Sequence, residues 1–182
     1  DATEYGRFVE VSERVSKWPI YIDDTPEITV NQIRTKCKRL AHDTGLDLVI
    51  VDYLQLMLSD RDNDDSRNIE VARISRGLKV MAKTLKVPVL ALAQLNRNVE
   101  SRQDKRPMLS DLRDSGALEQ DADLVMFLYR DDMYNESSER PNQCDVIIAK
   151  NRKGPTGVIT LYFRKEITRF DNMTKSTVNL GG

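Results

Sequence analysis

An α/β domain, RecA-like in having a mostly parallel sheet with helices on both faces and an antiparallel hairpin at its carboxyl end, is what this sequence predicts. Three observations carry that expectation. Two short apolar runs rich in β-branched residues, Leu48-Val49-Ile50-Val51 and Val87-Pro88-Val89-Leu90-Ala91-Leu92-Ala93, have the unbroken hydrophobicity of strands buried on both faces of a parallel sheet. Between them Val71, Ile74, Ser75, Leu78, Met81, Ala82 and Leu85 recur at helical spacing, so strand, helix and strand alternate as parallel pairing requires. Later the chain offers strands with no helix between them. Leu124 to Tyr129 and Val146 to Ala149 are apolar, the cluster from Asn151 to Gly157 is turn-forming, and Val158 to Phe163 alternate and should pair back as a hairpin.

The remaining elements follow in order. Phe8, Val11 and Val15 mark a short amphipathic helix within residues 7–17, closed by Trp18-Pro19, and Ile20-Tyr21-Ile22 predict a short strand ending on Asp23-Asp24. Thr29 with Gln32 three residues on is a capping box, and Ile28 and Ile33 flank it as a hydrophobic staple. A helix starts there, with Val30, Ile33, Cys37, Leu40 and Ala41 on one face, Arg34, Lys36, Lys38 and Arg39 on the other, and Gly45 as its left-handed stop. Ser59 to Ser66 is dense in Asp and reads as a surface loop. Asn96 to Gly116 is polar and carries Arg97, Arg102, Lys105, Arg106 and Arg113; a connection this long inside one domain is either functional or disordered. Ile167 to Phe170 is a last short strand.

Composition sets the outer bounds. The 182 residues amount to a single domain, 40% hydrophobic and 31% charged with a formal charge of −1, as in ordinary soluble proteins. No apolar run is long enough to span a bilayer and no secretory signal is present, so a cytoplasmic protein is expected. Cys37 and Cys144 lack the spacing of a zinc site and read as reduced thiols. The sole histidine, His42, falls near a helix end, where a solvated side chain is the simplest reading.

Three strands lead into polar residues suited to phosphate chemistry: Asp52, Gln94, and Lys150 with Arg152. Ligands of open α/β sheets bind beyond the carboxyl ends of the strands, and an apolar run leading into an acid is the Walker B pattern, in which the carboxylate holds the magnesium ion of a nucleotide. A turn-starting Asp is the plainer alternative for Asp52. An acid for the metal, an amide for a water or the γ-phosphate, and cations for transition-state charge are together the kinds of group phosphoryl transfer needs.

Six segments give the chain a family likeness: Ile50-Val51-Asp52-Tyr53-Leu54-Gln55-Leu56-Met57, Leu92-Ala93-Gln94-Leu95-Asn96-Arg97, Asp104-Lys105-Arg106-Pro107, Ser110-Asp111-Leu112-Arg113-Asp114-Ser115-Gly116, Glu119-Gln120-Asp121-Ala122-Asp123 and Arg169-Phe170-Asp171-Asn172. With them, over residues 19–172, the sequence resembles the carboxyl-terminal RecA-like motor domain of bacterial replicative helicases of the DnaB type. The resemblance implies a ring of six subunits that uses ATP and Mg2+ to move along single-stranded DNA and unwind duplex DNA, with a primase and a helicase loader as partners, at the replication fork in the nucleoid. It implies that Asp52 acts on magnesium through water and that Gln94 senses the γ-phosphate. Arg97, Arg113, Asp114 and Gly116 stand at DNA-contacting positions, and Lys150 and Arg152 at positions that reach the ATP of the neighbouring subunit, Arg152 as arginine finger. Asp114 stands where the family more often has Glu, and Asn151 where Gln usually separates the two cations.

The phosphate-cradling motif Gly-x-x-x-x-Gly-Lys-Ser/Thr does not occur; Lys83-Thr84 is preceded by Ala82, and Gly77 is wrongly spaced. The expectation is therefore a partial RecA-like domain over residues 1–182, without the Walker A part, inactive alone, and exposing an edge and apolar surface. A different class, a receiver-type signalling domain phosphorylated on Asp52, uses Asp23-Asp24, Asp52 and Lys150, but leaves the basic loop and Arg152 without a role.

Overall fold

The computed structural model describes residues 2–59 and 67–173, without the side chains of residues 2, 3 and 113–115. Beyond Ser59, the expected acidic loop lies outside the described residues. Helix α1 spans Ala2–Val15 and α2 Val30–Asp43; strand β1 is Val49–Val51, α3 Arg67–Leu85 and β2 Val89–Ala91. Then come the single-turn helix α4 (Asn98–Ser101), a 3-10 segment over Leu109–Ser115, and α5 (Gly116–Asp121). Strands β3 (Leu124–Tyr129), β4 (Gln143–Asn151), β5 (Gly157–Arg164) and β6 (Arg169–Asn172) complete the chain.

The α/β class is as expected. β1 and β2 pair in parallel, Val49 beside Val89 and Val51 beside Ala91, with α3 as the crossover. Among the described residues the antiparallel part is larger than one hairpin, because β3, β4, β5 and β6 form a four-stranded sheet in that order. The polar segment 96–116 is also more structured than a loop, containing α4 and the 3-10 segment. The strand expected at Ile20-Tyr21-Ile22 does not form. These side chains are exposed, and the Ile20 N–H donates to the Trp18 carbonyl at 2.8 Å in a local turn. A β-branched run becomes a strand only where an edge receives it.

The α2 start is as the sequence indicates. The Gln32 N–H donates to Thr29 Oγ1 at 3.4 Å and the Thr29 N–H to Gln32 Oε1 at 2.9 Å, which satisfies two donors a helix start otherwise leaves open. Gly45 takes φ +87°, the left-handed conformation that ends the helix without steric cost. The capped end puts Val30 against α3 at Gly77, where an added Cβ would stand 3.0 Å from Val30 Cγ1. Gly77 is thus a helix-packing residue.

The core has two centres. In the first, Val30 of α2, Val49 of β1, Leu54, Met57, Ile74, Leu78 and Met81 of α3, and Val87 are buried together. In the second, Leu112 packs with Val125 and Phe127 of β3, flanked by Leu95, Leu109 and Ile147. Leu118 of α5 rests on the first cluster, so α5 bridges the two. The opposite face of β3, Leu124, Met126 and Leu128, is exposed, as is Ile50 of β1.

Met81 is 0% exposed and touches both layers of the first cluster, so Met81→Ala should lower unfolding free energy by about 2–5 kcal/mol, read by urea denaturation. The neighbouring Val80→Ala, at 46% exposure, should change it by no more than about 0.5 kcal/mol.

Candidate functional site

Parallel pairing brings the carboxyl ends of β1 and β2 to one edge. The ladder continues past both strands: the Leu92 N–H donates to the Val51 carbonyl at 2.9 Å and the Leu54 N–H to the Leu92 carbonyl at 3.0 Å. Asp52 follows β1, joined to Tyr53 by a cis peptide, and its carboxylate is exposed, with no hydrogen bond or ion pair to the described residues. Gln94 lies just past β2 with an exposed side chain. Its main chain is gripped by Gln55, whose Nε2 donates to the Gln94 carbonyl at 3.1 Å and whose Oε1 accepts from the Gln94 N–H at 3.2 Å. The structure therefore brings Asp52 and Gln94 to one place. Asp52 offers a hard carboxylate oxygen beside a neutral amide, a donor set that fits magnesium through water but holds no cation for phosphate.

Lys150 and Arg152 belong to a different group. Lys150 lies in β4, and its ammonium donates to the Glu119 carbonyl and, at 3.4 Å, to that of Gln120. Arg152 donates from Nη2 to the Gln120 carbonyl at 2.9 Å and from Nη1 to Asp123 at 3.0 Å; its N–H bonds the Asp123 carbonyl at 2.9 Å. Both cations thus sit on the final carbonyls of α5, where the helix dipole favours positive charge. Asp123 is shared with Lys79 of α3, and the Lys79 ammonium, with Arg152 adding its field, holds that carboxyl below its usual range. No hydrogen bond or ion pair among the described residues joins this group to Asp52 or Gln94. Asn151, between the cations, builds the hairpin turn: its Oδ1 accepts from the Lys153 N–H at 3.1 Å and its Nδ2 donates to the Pro155 carbonyl at 3.2 Å. A Cβ at Gly154 would come 2.8 Å from Asn151 Nδ2, so a side chain there would have to shift that amide.

The charged side chains of segment 96–116 are engaged partly within it and partly with β3, β4 and the residues between them. Arg102 meets both Asp111 oxygens at 2.9 Å and the Arg106 carbonyl at 2.9 Å. Arg106 pairs at 2.9 Å with Asp145 and lies over the Tyr129 ring, while Lys105 lies over Tyr134. Tyr129 and Tyr134 stack with centroids 6.0 Å apart, so they serve packing. Arg97 remains exposed at the start of α4, and Gly116 opens α5 with nothing within 4 Å of an added Cβ. The side chains of Arg113 and Asp114 lie outside those described; their backbone is in the 3-10 segment.

Asp145, which the sequence does not single out as a site residue, anchors this segment from another sheet. Its side chain is 3% exposed and is held by Arg140 at 3.0 and 2.6 Å, Arg106 at 2.9 Å and Thr160 at 2.8 Å. A lone Asp at the start of an apolar strand is the one signal that could have found it. The Arg140 hydrogen bond first, then those of Thr160 and Arg106, hold its carboxyl down at about 2. Asp23 is also lowered to about 2, by Lys36 first. With Asp23 paired to Lys36 and Lys150 on α5, the receiver-type pocket around Asp52 is not assembled.

A parallel strand pair with an acid and an amide at its carboxyl edge, and a separate antiparallel sheet that carries two cations, make up this α/β domain. The solved structures it superposes on are helicase ATPase domains of the RecA-like class. The chain belongs to the DnaB-like helicase C-terminal domain family, whose model matches residues 1–172. It is 51% identical over 172 residues to the replicative DNA helicase DnaB of Geobacillus stearothermophilus and 50% identical to the replicative DNA helicase DnaC of Bacillus subtilis, each over 94% of this chain. It spans 38% of the length of both relatives. A solved DnaB-like replicative helicase, described with its primase interactions, superposes with TM-score 0.88 at 47% identity, over 93% of this chain and 42% of that one. A solved ATPase domain matches with the same TM-score and identity over 60% of its length. No described helix is long and apolar enough to cross a membrane.

The sign of the Asp145 shift sets a pH dependence. A carboxyl that binds its proton more weakly folded than unfolded contributes stability in full above 3.8, and that contribution is lost as pH falls through about 2. Asp145→Asn should lower the thermal midpoint at neutral pH and flatten its decline across that acid range, followed by circular dichroism; an unchanged acid limb would detach Asp145 from it.

Proposed function

We propose that this chain is part of a ring-shaped replicative helicase, a homo-hexamer that hydrolyses ATP with Mg2+ to move along single-stranded DNA and separate duplex DNA. The observation that carries the reading is the joint placement of Asp52 and Gln94 at the carboxyl edge of the β1–β2 pair, in a chain whose family match runs through both. The chemistry that a bound magnesium ion would supply is neutralisation of phosphate charge. Asp52, whose carboxylate is exposed, would hold the ion's hydration shell. Gln94 would orient the attacking water or bond the γ-phosphate, and its main chain leads within three residues to Arg97.

Residues Arg97, Arg113, Asp114 and Gly116 form the DNA-facing part in this reading. Arg102 and Arg106 instead hold the segment in shape through Asp111 and Asp145. Arg152, with Lys150 beside it, acts on the nucleotide of the adjoining subunit. To do so it exchanges Asp123 and the Gln120 carbonyl for phosphate oxygens, acceptors of the same kind with more charge. The phosphate-cradling loop is supplied by the rest of the protein, so this chain does not turn over ATP alone. A primase and a helicase loader are the further partners, and the nucleoid is the place of action.

The test is steady-state ATP turnover by the full-length protein. Asp52→Ala should abolish magnesium-dependent turnover, and Arg152→Ala should cut kcat by about 10³–10⁵, the range for an arginine finger. Wild-type turnover in either variant would remove that residue from the site. For the DNA surface, Arg97→Ala should weaken single-strand binding and make the salt slope shallower by about 0.7 for each phosphate that Arg97 neutralises.

A further inference from the structure

Gln55 occupies the 3-10 turn over Leu54–Leu56 that follows Asp52, and its side chain is half-buried. That one side chain meets both backbone groups of Gln94, donating to its carbonyl and accepting from its N–H. A primary amide carries a donor and an acceptor side by side, as a strand edge does. The main-chain ladder between the two strand ends makes its last bond at Leu54 and Leu92. Beyond it the chain after β1 curls into the turn, and Gln55 supplies by side chain the rung that a straight strand would have supplied by backbone. The turn is held from the other side as well: Arg67, at the start of α3, donates to the carbonyls of Gln55 and Met57 and pairs with Glu70. A continuous line runs from Glu70 through Arg67 and Gln55 to Gln94.

We propose that Gln55 is the positioning residue for Gln94, fixing the backbone at the end of β2 so that the Gln94 amide stays aimed at the edge shared with Asp52. The inference rests on the role given to Gln94 above. Gln94 lies beyond the last ladder bond, where a backbone without partners swings and takes its side chain with it. A catalytic geometry displaced by about 1 Å loses on the order of 10²-fold in rate. Gln55 therefore acts on turnover, through Gln94, without touching nucleotide.

The experiment uses the full-length hexameric protein and compares wild type, Gln55→Met, Gln94→Ala and the double variant for kcat and for KM of ATP with single-stranded DNA present. Met keeps the length of Gln55 and removes both hydrogen bonds. The expected result is a kcat lower by about 10- to 100-fold in Gln55→Met with KM little changed, and a double variant no slower than Gln94→Ala alone, as for residues acting as one unit. Wild-type kcat in Gln55→Met, or losses that multiply in the double variant, overturns the proposal while leaving the role of Gln94 intact. Wild-type kcat in Gln94→Ala overturns the role of Gln94 itself. Hydrogen exchange gives a check that needs no variant: the Gln94 N–H of the wild-type ring should exchange as slowly as that of Leu92, and fast exchange at Gln94 alone overturns the clamp.

Discussion

Burial of one stripe of α3 is the constraint on which the other elements depend. Val71, Ile74, Leu78 and Met81 are all closed off from water, and the last three share one cluster with Val30 of α2, Val49 of β1, Leu54, Met57 and Val87. Three-residue strands cannot hold a sheet through six backbone groups apiece; the apolar floor beneath Val49 and Val87 fixes where β1 and β2 lie. The helix also presents polar groups on its other flank. Ser75 and Arg76 bond Asp121, and Lys79 reaches Asp123, so α5 is seated by α3 as well as by Lys150 and Arg152.

Electrostatics then separate the molecule's charged residues into two kinds. Some are committed: Arg102, Arg106 and Arg140 are engaged with Asp111 and Asp145, which are nearly closed from solvent, and such pairs cost a great deal to break because the remaining carboxylate stays buried. Others are available: Asp52 and Arg97 stand exposed. Lys150 and Arg152 fall between, engaged with carbonyl oxygens and one half-exposed carboxylate, interactions weak enough to be traded.

Much of this was written in local pattern. The capping box at Thr29, the stop at Gly45, the periodic stripe of α3 and the apolar runs of β1 to β4 are decided by neighbours in sequence, and the structure follows them. Asp52 and Gln94 were legible for the same reason, since each ends an apolar run. The charges of segment 96–116 were not, because Arg106 is neutralised by Asp145, which lies far along the chain on another sheet. Gln55 was equally hidden: as part of an apolar-looking stretch it gives no sign of gripping Gln94. At Ile20 to Ile22 propensity pointed to a strand, and the chain there pairs with no strand among the described residues.

The seating of Arg152 and Lys150 gives α5 a mechanical character. This helix of six residues, about 9 Å long at 1.5 Å per residue, begins at Gly116, where the 3-10 segment ends, and finishes on the carbonyls those two cations grasp. It stands between the β4–β5 hairpin, reached through Lys150 and Arg152, and the end of the polar segment. Its carboxyl half is the held half: Lys150 and Arg152 meet the Glu119 and Gln120 carbonyls, Leu118 rests on the first cluster, and Asp121 bonds Ser75 and Arg76. A departure of Arg152 from Gln120 and Asp123 would therefore leave that end of the helix held by Lys150, Leu118 and Asp121.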